Sequence, residues 1–409
     1  MTERLDRQIR IEGWNQKALE NSQIAVIGDD KKMTSLYVLS AAALGINNQI
    51  IIAPNIDVQL LQIAKAINPQ LQMAYMQGYF SHREMKNLLG KSKAVVDLTD
   101  YNLAKKLLIE SAYSNGMNVI SSKISDGKIS IFNYSRGREF KELEEILSEK
   151  ELPKERRVDP LLSIIAGGLI LDETKNVLMK GKTSDELITY SGSNGKRDYE
   201  NMRALVIGAG ALGNIVGLGL GYLGVRKLDI MDPDEIEETN LNRQIMFYAA
   251  VGKDKSLTLA ERLNLMFGMK AKGIKGYFRR DTDISKYDAI FDCVDNFETR
   301  IITSERCKKE NKILISGGTS HKAGQVIIYD PKTSGQTPAE FLGLYEIMGK
   351  RKVEEYKRVR ASCTYRPDPS VIMSNQIIGG IMADKFRALM SKENPENAFY
   401  DAESGKRLG

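Results

Sequence analysis

The feature that most restricts what this chain can fold into is that it is written twice. NSQIAVIGDDKKM (21–33) reappears as NMRALVIGAGALG (201–213), and LGINNQIIIAPN (44–55) as LGVRKLDIMDPD (223–234). AVVDLTDYN (94–102) reappears as AIFDCVDN (289–296), and VISSKISDGKISIFNY (119–134) as LISGGTSHKAGQVIIYD (314–330). RVDPLLSIIAGGLI (157–170) is loosely matched by RPDPSVIMSNQIIGGIM (366–382). Five blocks in fixed order, about 180 to 210 residues apart, imply a duplicated domain, because each block alone would be common.

Each copy alternates short β-branched apolar runs with helical patterns. IAVIG, QIIIAP and AVVDLT read as strands, as do ALVIG, KLDIMD and AIFDCV, with YVLSAAALG and NIVGLGLGYLG as helices between them. That rhythm predicts an α/β fold in which each half builds a mostly parallel, doubly wound sheet with helices on both faces. The expected division is a first domain over 1–180, a polar Gly/Ser-containing linker over 181–199 and a second domain over 200–409.

Composition narrows the class. At 409 residues, 42% hydrophobic and 27% charged, the chain is an ordinary globular protein. No apolar run approaches the ~20 residues needed to span a bilayer, and MTERLDRQIRIEGW is too charged for a secretory signal. Three cysteines point to a reducing compartment, so a cytoplasmic location without a membrane partner is expected. With two histidines and no CxxC pair, no structural zinc is expected. A net charge of +6 from interleaved acids and bases does not call for nucleic acid.

The chemistry concentrates in the second half. Gly208, Gly210 and Gly213 form GxGxxG between a strand and a helix, where the backbone turns tightly and phosphates reach a helix N-terminus. Asp232 closes the next strand about 20 residues on, where a carboxylate accepts hydrogen bonds from ribose hydroxyls. These two features alone fit an NAD(P) oxidoreductase. Such an enzyme has no need of Asn240, Arg243 and Gln244 in the next segment, nor of Lys255 at the start of a helix. Arg243 and Lys255 can neutralise phosphate oxygens, and the two amides can donate to them. Asp295 ends a third strand beside the same pocket, where one carboxylate with phosphate oxygens can hold Mg²⁺. Asp292 is a weaker metal candidate that serves equally as the cap of the following turn.

These motifs, GxGxLG, DxDxIxxxNLxRQ, a lysine and DxxDNxxxR, resemble those of the ubiquitin-activating enzyme superfamily, which includes the ThiF/MoeB proteins. The resemblance covers nearly the whole chain, strongly over 200–335 and more weakly over 1–135. It implies two tandem Rossmann-like ThiF-type domains forming an internal pseudo-dimer. It also implies MgATP-dependent adenylation of the C-terminal glycine of a ubiquitin-like protein ending in Gly-Gly. By resemblance Asp232 holds the ribose, Asn240, Arg243 and Lys255 the phosphates, and Asp295 the Mg²⁺.

The first half has lost this equipment. Gly28-Asp-Asp-Lys-Lys-Met33 replaces GAGALG, Ala53 stands where Asp232 stands, and no NLxRQ is present. It is therefore expected not to bind ATP, with Asp97 and Asp100 as relics of a strand end. LDRQIRIEGW (5–14) nevertheless matches the family's N-terminal helix, from which an arginine reaches a partner's ATP, and here Arg7 would do so within one chain. Cys363, in VRASCTYRPDP before the last helix, stands where thioester- or persulfide-forming relatives place a reactive cysteine. Arg358, Arg360 and Arg366 near it in sequence favour a thiolate. Cys293 and Cys307 read as structural. Alternatives in the same chemistry are sulfur-carrier activation, with a conjugating or sulfur-transfer partner downstream, and adenylation of a peptide or a tRNA base. A non-catalytic scaffold is argued against by the intact Arg243, Lys255 and Asp295.

Overall fold

The computed structural model describes residues 3–135, 152–349, 369–404 and 407–409. The apolar runs of the first half become β1 (Gln23–Gly28), β2 (Asn48–Ala53), β3 (Gln72–Gln77), β4 (Ala94–Leu98), β5 (Asn118–Ser125), β6 (Lys128–Tyr134) and β7 (Ile188–Ser191), in spatial order β3-β2-β1-β4-β5-β6-β7. The second half repeats the plan with β8 (Arg203–Ile207), β9 (Lys227–Asp232), β10 (Lys272–Lys275), β11 (Ala289–Asp292), β12 (Ile313–Thr319), β13 (Ala323–Tyr329) and β14 (Ala398–Asp401), in order β10-β9-β8-β11-β12-β13-β14. In each sheet five strands pair in parallel, and the last two pairings are antiparallel, so that only β6 and β13 run against the rest. The fold is α/β with two seven-stranded Rossmann-like sheets. The strand order reverses between β1 and β4 and between β8 and β11, and these switch points open a crevice at the strand C-termini.

The stretch 181–199 does more than connect. Ile188–Ser191 within it alternates buried and exposed residues and pairs with β6 as the first sheet's final strand. Four residues in a polar, Gly- and Ser-containing setting are too short for alternation to stand out from a linker.

The helices that matter are α1 (Asp6–Ile9), α2 (Lys31–Leu44), α3 (Val58–Ile67), α4 (Asn102–Asn115), α5 (Pro160–Met179), α6 (Ala211–Leu223), α7 (Lys255–Phe267), α8 (Phe297–Lys309) and α9 (Ile372–Met390). No described helix is long and apolar enough to cross a membrane. Asp159 caps α5 by accepting from the Leu161 and Leu162 amides, with Pro160 in the first turn, which needs no N–H. Nearly all of α5 and α9 is buried, on every side of each helix, because the two pack on each other as well as on their own sheets. One apolar cluster runs through α2, α5, α6 and α9 and joins the halves.

The seam between the halves is reciprocal. Tyr190 of β7 donates to Asp384 of α9 at 2.7 Å, and in the mirrored positions Tyr400 of β14 faces Asp172 of α5. Gln376 Nε2 donates to the Ile164 carbonyl at 2.9 Å. Arg387 joins Asp159 to Asp384, and Arg407 pairs with Glu173 at 2.6 Å. The helices approach closely through small residues: a Cβ on Gly168 would lie 2.7 Å from Ile377 Cγ1 and 3.1 Å from the Met373 carbonyl. Gly168→Ala should therefore push α9 away and cost about 1–3 kcal/mol, as overpacking does, read as a lowered urea midpoint with an unchanged m value.

Candidate active site

The site forms at the β8–β11 switch point. Gly208 takes φ +94°, and a Cβ there would lie 2.9 Å from the Cys293 carbonyl at the end of β11. A Cβ on Gly213 would lie 2.0 Å from the Gly208 carbonyl, so both positions require glycine. A Cβ on Gly210, in contrast, would meet nothing within 4 Å. Gly210 is also the N-cap of α6 and supplies no side-chain acceptor, so the first-turn N–H groups face an open cradle.

The first half shows the alternative. There Asp30, in the place of Gly210, accepts from the Met33 amide at 2.7 Å and caps α2 with its own carboxylate. Asp29 is buried and receives the Asp100 amide at 2.6 Å and Arg156 Nε at 2.6 Å. Arg156 also donates to the Leu98 and Ile124 carbonyls, and the Val158 amide donates to Asp30 at 2.9 Å. The crevice, which no described residue fills beside Gly210 in the second half, is filled here by the chain itself. Asp97 anchors Lys105, at 2.9 Å, and Ser121. At the same spacing in the second half Asp292 accepts from Ser316 at 2.7 Å and lies 3.8 Å from Arg300. Both strand-end aspartates are fully buried, and Asp292 also accepts from the Val294 amide. Of the two roles left open for Asp292, the structure assigns it the cap of the strand-end turn.

Around the open cradle, Asp232 at the end of β9 accepts the Ala209 amide at 2.7 Å and the Asp234 amide at 2.9 Å. Burial pushes its carboxyl up, against the Asp234 amide and the charge of Lys255, which pull it down. Lys255 begins α7, is buried, and pairs with Asp234 at 3.0 Å. Asn240 closes a short turn, its Oδ1 accepting the Glu237 amide at 3.0 Å. Arg243 is 6% exposed, and its Nη1 donates to the Thr239 carbonyl at 2.9 Å and to Asn242 Oδ1 at 2.7 Å. Burial first, and then the nearby positive charge of Arg7, lower the Arg243 guanidinium to about 10, with Glu237 opposing. Arg7 of α1, at the other end of the sequence, is thus within electrostatic reach of this site. Gln244 is buried, and its Oε1 has no donor among the described residues. Asp295 is exposed just past β11. Among the described residues no group of three or more His, Cys, Asp or Glu could hold a metal. The cradle and the single outlying carboxylate of Asp295 fit a nucleotide whose own phosphates complete a cation's shell.

Cys363 lies outside the described residues, as do Arg358, Arg360 and Arg366. Cys293 and Cys307 are buried, and burial pushes both thiols up.

Three polar residues not singled out by sequence reasoning shape the site. Asn214, fully buried in the first turn of α6, donates at 2.9 Å to the Ala209 and Gly210 carbonyls and accepts the Met246 amide at 3.0 Å. It clips the glycine turn to the segment carrying Arg243. Its signal was a lone amide in the apolar run ALGNIVGLG. Asn242 and Gln8 are the other two, and their hydrogen bond spans the two halves at 3.0 Å.

The family model for the ThiF family matches residues 184–405. Over 155 residues, covering 36% of this chain and 39% of the relative, the sequence is 32% identical to "Adenylyltransferase and sulfurtransferase MOCS3" of Caenorhabditis briggsae. Over 148 residues, 35% of this chain and 32% of the relative, it is 34% identical to "Adenylyltransferase and sulfurtransferase MOCS3-1" of Zea mays. The chain spans less than two fifths of the length of these relatives. Among solved structures, a crystal structure of E. coli MccB with succinimide is similar over 50% of this chain and 62% of that chain, with a TM-score of 0.43 and 19% identity.

Proposed function

The chain belongs to the ThiF family, and on that premise we propose that its second half adenylates the C-terminal glycine of a ubiquitin-like protein ending in Gly-Gly, using MgATP. The observation that carries this reading is the uncapped N-terminus of α6 beside Gly210, with Asp232 bonded to the Ala209 amide of the glycine turn and the charge of Lys255 felt at Asp232. The degenerate first half closes the same place with Asp29, Asp30 and Arg156.

In this reading Asp232 takes the ribose hydroxyls with the lone pairs its two amide partners leave free. The glycine turn and α6 take the phosphates, and Asn240 and Gln244 complete the polar wall. Asp295 would hold Mg²⁺, which supplies positive charge to the phosphate oxygens. The substrate carboxylate forms a bond to the α-phosphorus, the bond from that phosphorus to the bridging oxygen breaks, and pyrophosphate leaves. Two anions meet in this step, so Arg243, Lys255 and Arg7 lower its barrier by neutralising them. The Cys363 thiolate then attacks the acyl carbon, a thioester forms and AMP leaves. In this reading nucleotide chemistry belongs to 200–409, with Arg7 lent by the first half, whose sheet ends with β7.

A second reading, activation of a sulfur carrier, is favoured by the relatives whose names join adenylyl transfer to sulfur transfer. Both share the adenylation step, and the fate of the adenylate separates them. The test is ATP–pyrophosphate exchange with Mg²⁺ and small ubiquitin-fold proteins ending in Gly-Gly. Exchange should require the partner and fall by about 100-fold or more in Asp295→Ala. A thiol-reducible adduct lost in Cys363→Ala identifies the thioester. Exchange with no such partner overturns a ubiquitin-fold substrate and leaves peptide or tRNA adenylation. Nucleotide binding that needs no Mg²⁺ and prefers NAD(P) overturns adenylation.

A further inference from the structure

The buried amides around Arg243 form a chain of donors that runs from Arg243 into the other half of the molecule and ends at Gln16, which also accepts from Trp14. Trp14 Nε1 donates to Gln16 Oε1 at 2.9 Å. Gln8 Nε2 donates to the same Gln16 oxygen at 2.6 Å and to the Leu44 carbonyl at 2.8 Å. Two acceptors on one side settle which way the Gln8 amide faces, leaving its Oε1 toward the second half. There it accepts Asn242 Nδ2 at 3.0 Å, and Asn242 Oδ1 accepts Arg243 Nη1 at 2.7 Å. A flipped Asn242 would set its NH₂ against the guanidinium and its oxygen against Gln8 Oε1. Gln8 and Asn242 are fully buried, Gln16 is 3% exposed and Arg243 6%. In such a setting each link polarises the next, and a broken link leaves a buried group without a partner.

Arg243 is the first donor of this chain. Its Nη1 is committed to Asn242 and Thr239, while no described residue takes its Nε or Nη2. The guanidinium is therefore held from behind with two donors free for an anion.

We propose that Gln8 and Asn242 are positioning residues that orient the Arg243 guanidinium toward the nucleotide phosphates, so that the inactive half sets the affinity of the active half for MgATP. This rests on the adenylation reading. It is distinct from the role of Arg7, because Gln8 acts through Asn242 and touches no nucleotide. It gives the degenerate half a second duty besides lending Arg7. The chain's single tryptophan stands at the far end of the relay, which makes its fluorescence a reporter of what happens at Arg243.

The experiment uses the full chain and MgATP, with affinity from calorimetry and Trp14 emission followed in parallel. Gln8→Ala and Asn242→Ala should each weaken MgATP about tenfold, the loss expected for one hydrogen bond to a charged group. The double variant should be no weaker than the weaker single, because both act on one path. MgATP should shift Trp14 emission in the wild type, and at saturating nucleotide that shift should vanish in Asn242→Ala. Should Asn242→Ala fail to fold, Gln8→Met, which keeps the volume and removes the acceptor, gives the same reading. Unchanged affinities, or losses that add in the double variant, overturn the relay while the adenylation reading stands. A wild-type chain that binds no MgATP overturns both.

Discussion

Arg7→Ala should reduce ATP–pyrophosphate exchange by about 100-fold or more, the cost of losing one charge-stabilising donor, while the melting temperature stays within a degree or two. The site lies in the second half, yet the positive charge of Arg7 is felt at Arg243. Two guanidiniums close enough to oppose each other's charge make a good place for a triphosphate and a poor place for anything neutral. Arg7 is only partly buried, so its removal opens no core cavity. MgATP affinity should fall less than exchange does, because charge builds up at the phosphates mainly as the carboxylate closes on them. Exchange that survives Arg7→Ala intact would mean that the first half lends no charge to the chemistry.

Glu173→Ala should destabilise the folded chain by about 3–5 kcal/mol, the cost of stranding a buried charge. Glu173 lies fully buried on α5, where its Oε1 accepts Arg407 Nε at 2.9 Å and Nη2 at 2.6 Å. Its Oε2 accepts the Ser184 amide at 2.9 Å and also the Asn133 amide. Arg407 is only 4% exposed and comes from the last described residues of the chain. The pair ties the C-terminal segment of the second half into the first half. Removing the acid leaves the guanidinium, among the described residues, with the Ser404 carbonyl and the charge of Asp172 in place of a bidentate carboxylate. Glu173→Leu with Arg407→Leu should recover most of the loss, since burying an ion pair costs nearly what its attraction returns. Chemical denaturation of the four forms tests this, and a single Glu173→Ala no less stable than wild type would show that the Glu173–Arg407 pair adds nothing to the joining of the two halves.

Much of the architecture was open to reading because the signals are local. Gly208 is forced by a positive φ and Gly213 by a backbone oxygen in the way, and both facts follow from strand–turn–helix geometry that a few residues encode. Lys255 opens α7 as the pattern implied. β7 was hidden because four residues carry too little period to distinguish a strand from a connector. Asn214, Asn242 and Gln8 were hidden for another reason. A polar side chain has no visible purpose until the partners it serves are brought to it from elsewhere in the chain.

The amino-acid sequence alone determined the duplication, the alternating α/β rhythm, the glycine turn and the decay of that turn in the first half, since each is a matter of residue type and short-range spacing. Only the tertiary structure decided what the decay does and how the halves meet. Asp29 and Asp30 could have been surface acids, and folding makes them the cap and counter-ion that, with Arg156, close the vestigial crevice. The reciprocal tyrosine–aspartate contacts and the path from Gln8 to Arg243 depend on residues far apart in the chain meeting at a seam. Such contacts arise from packing two apolar helices face to face, and no local pattern encodes which side chains that packing will bring together.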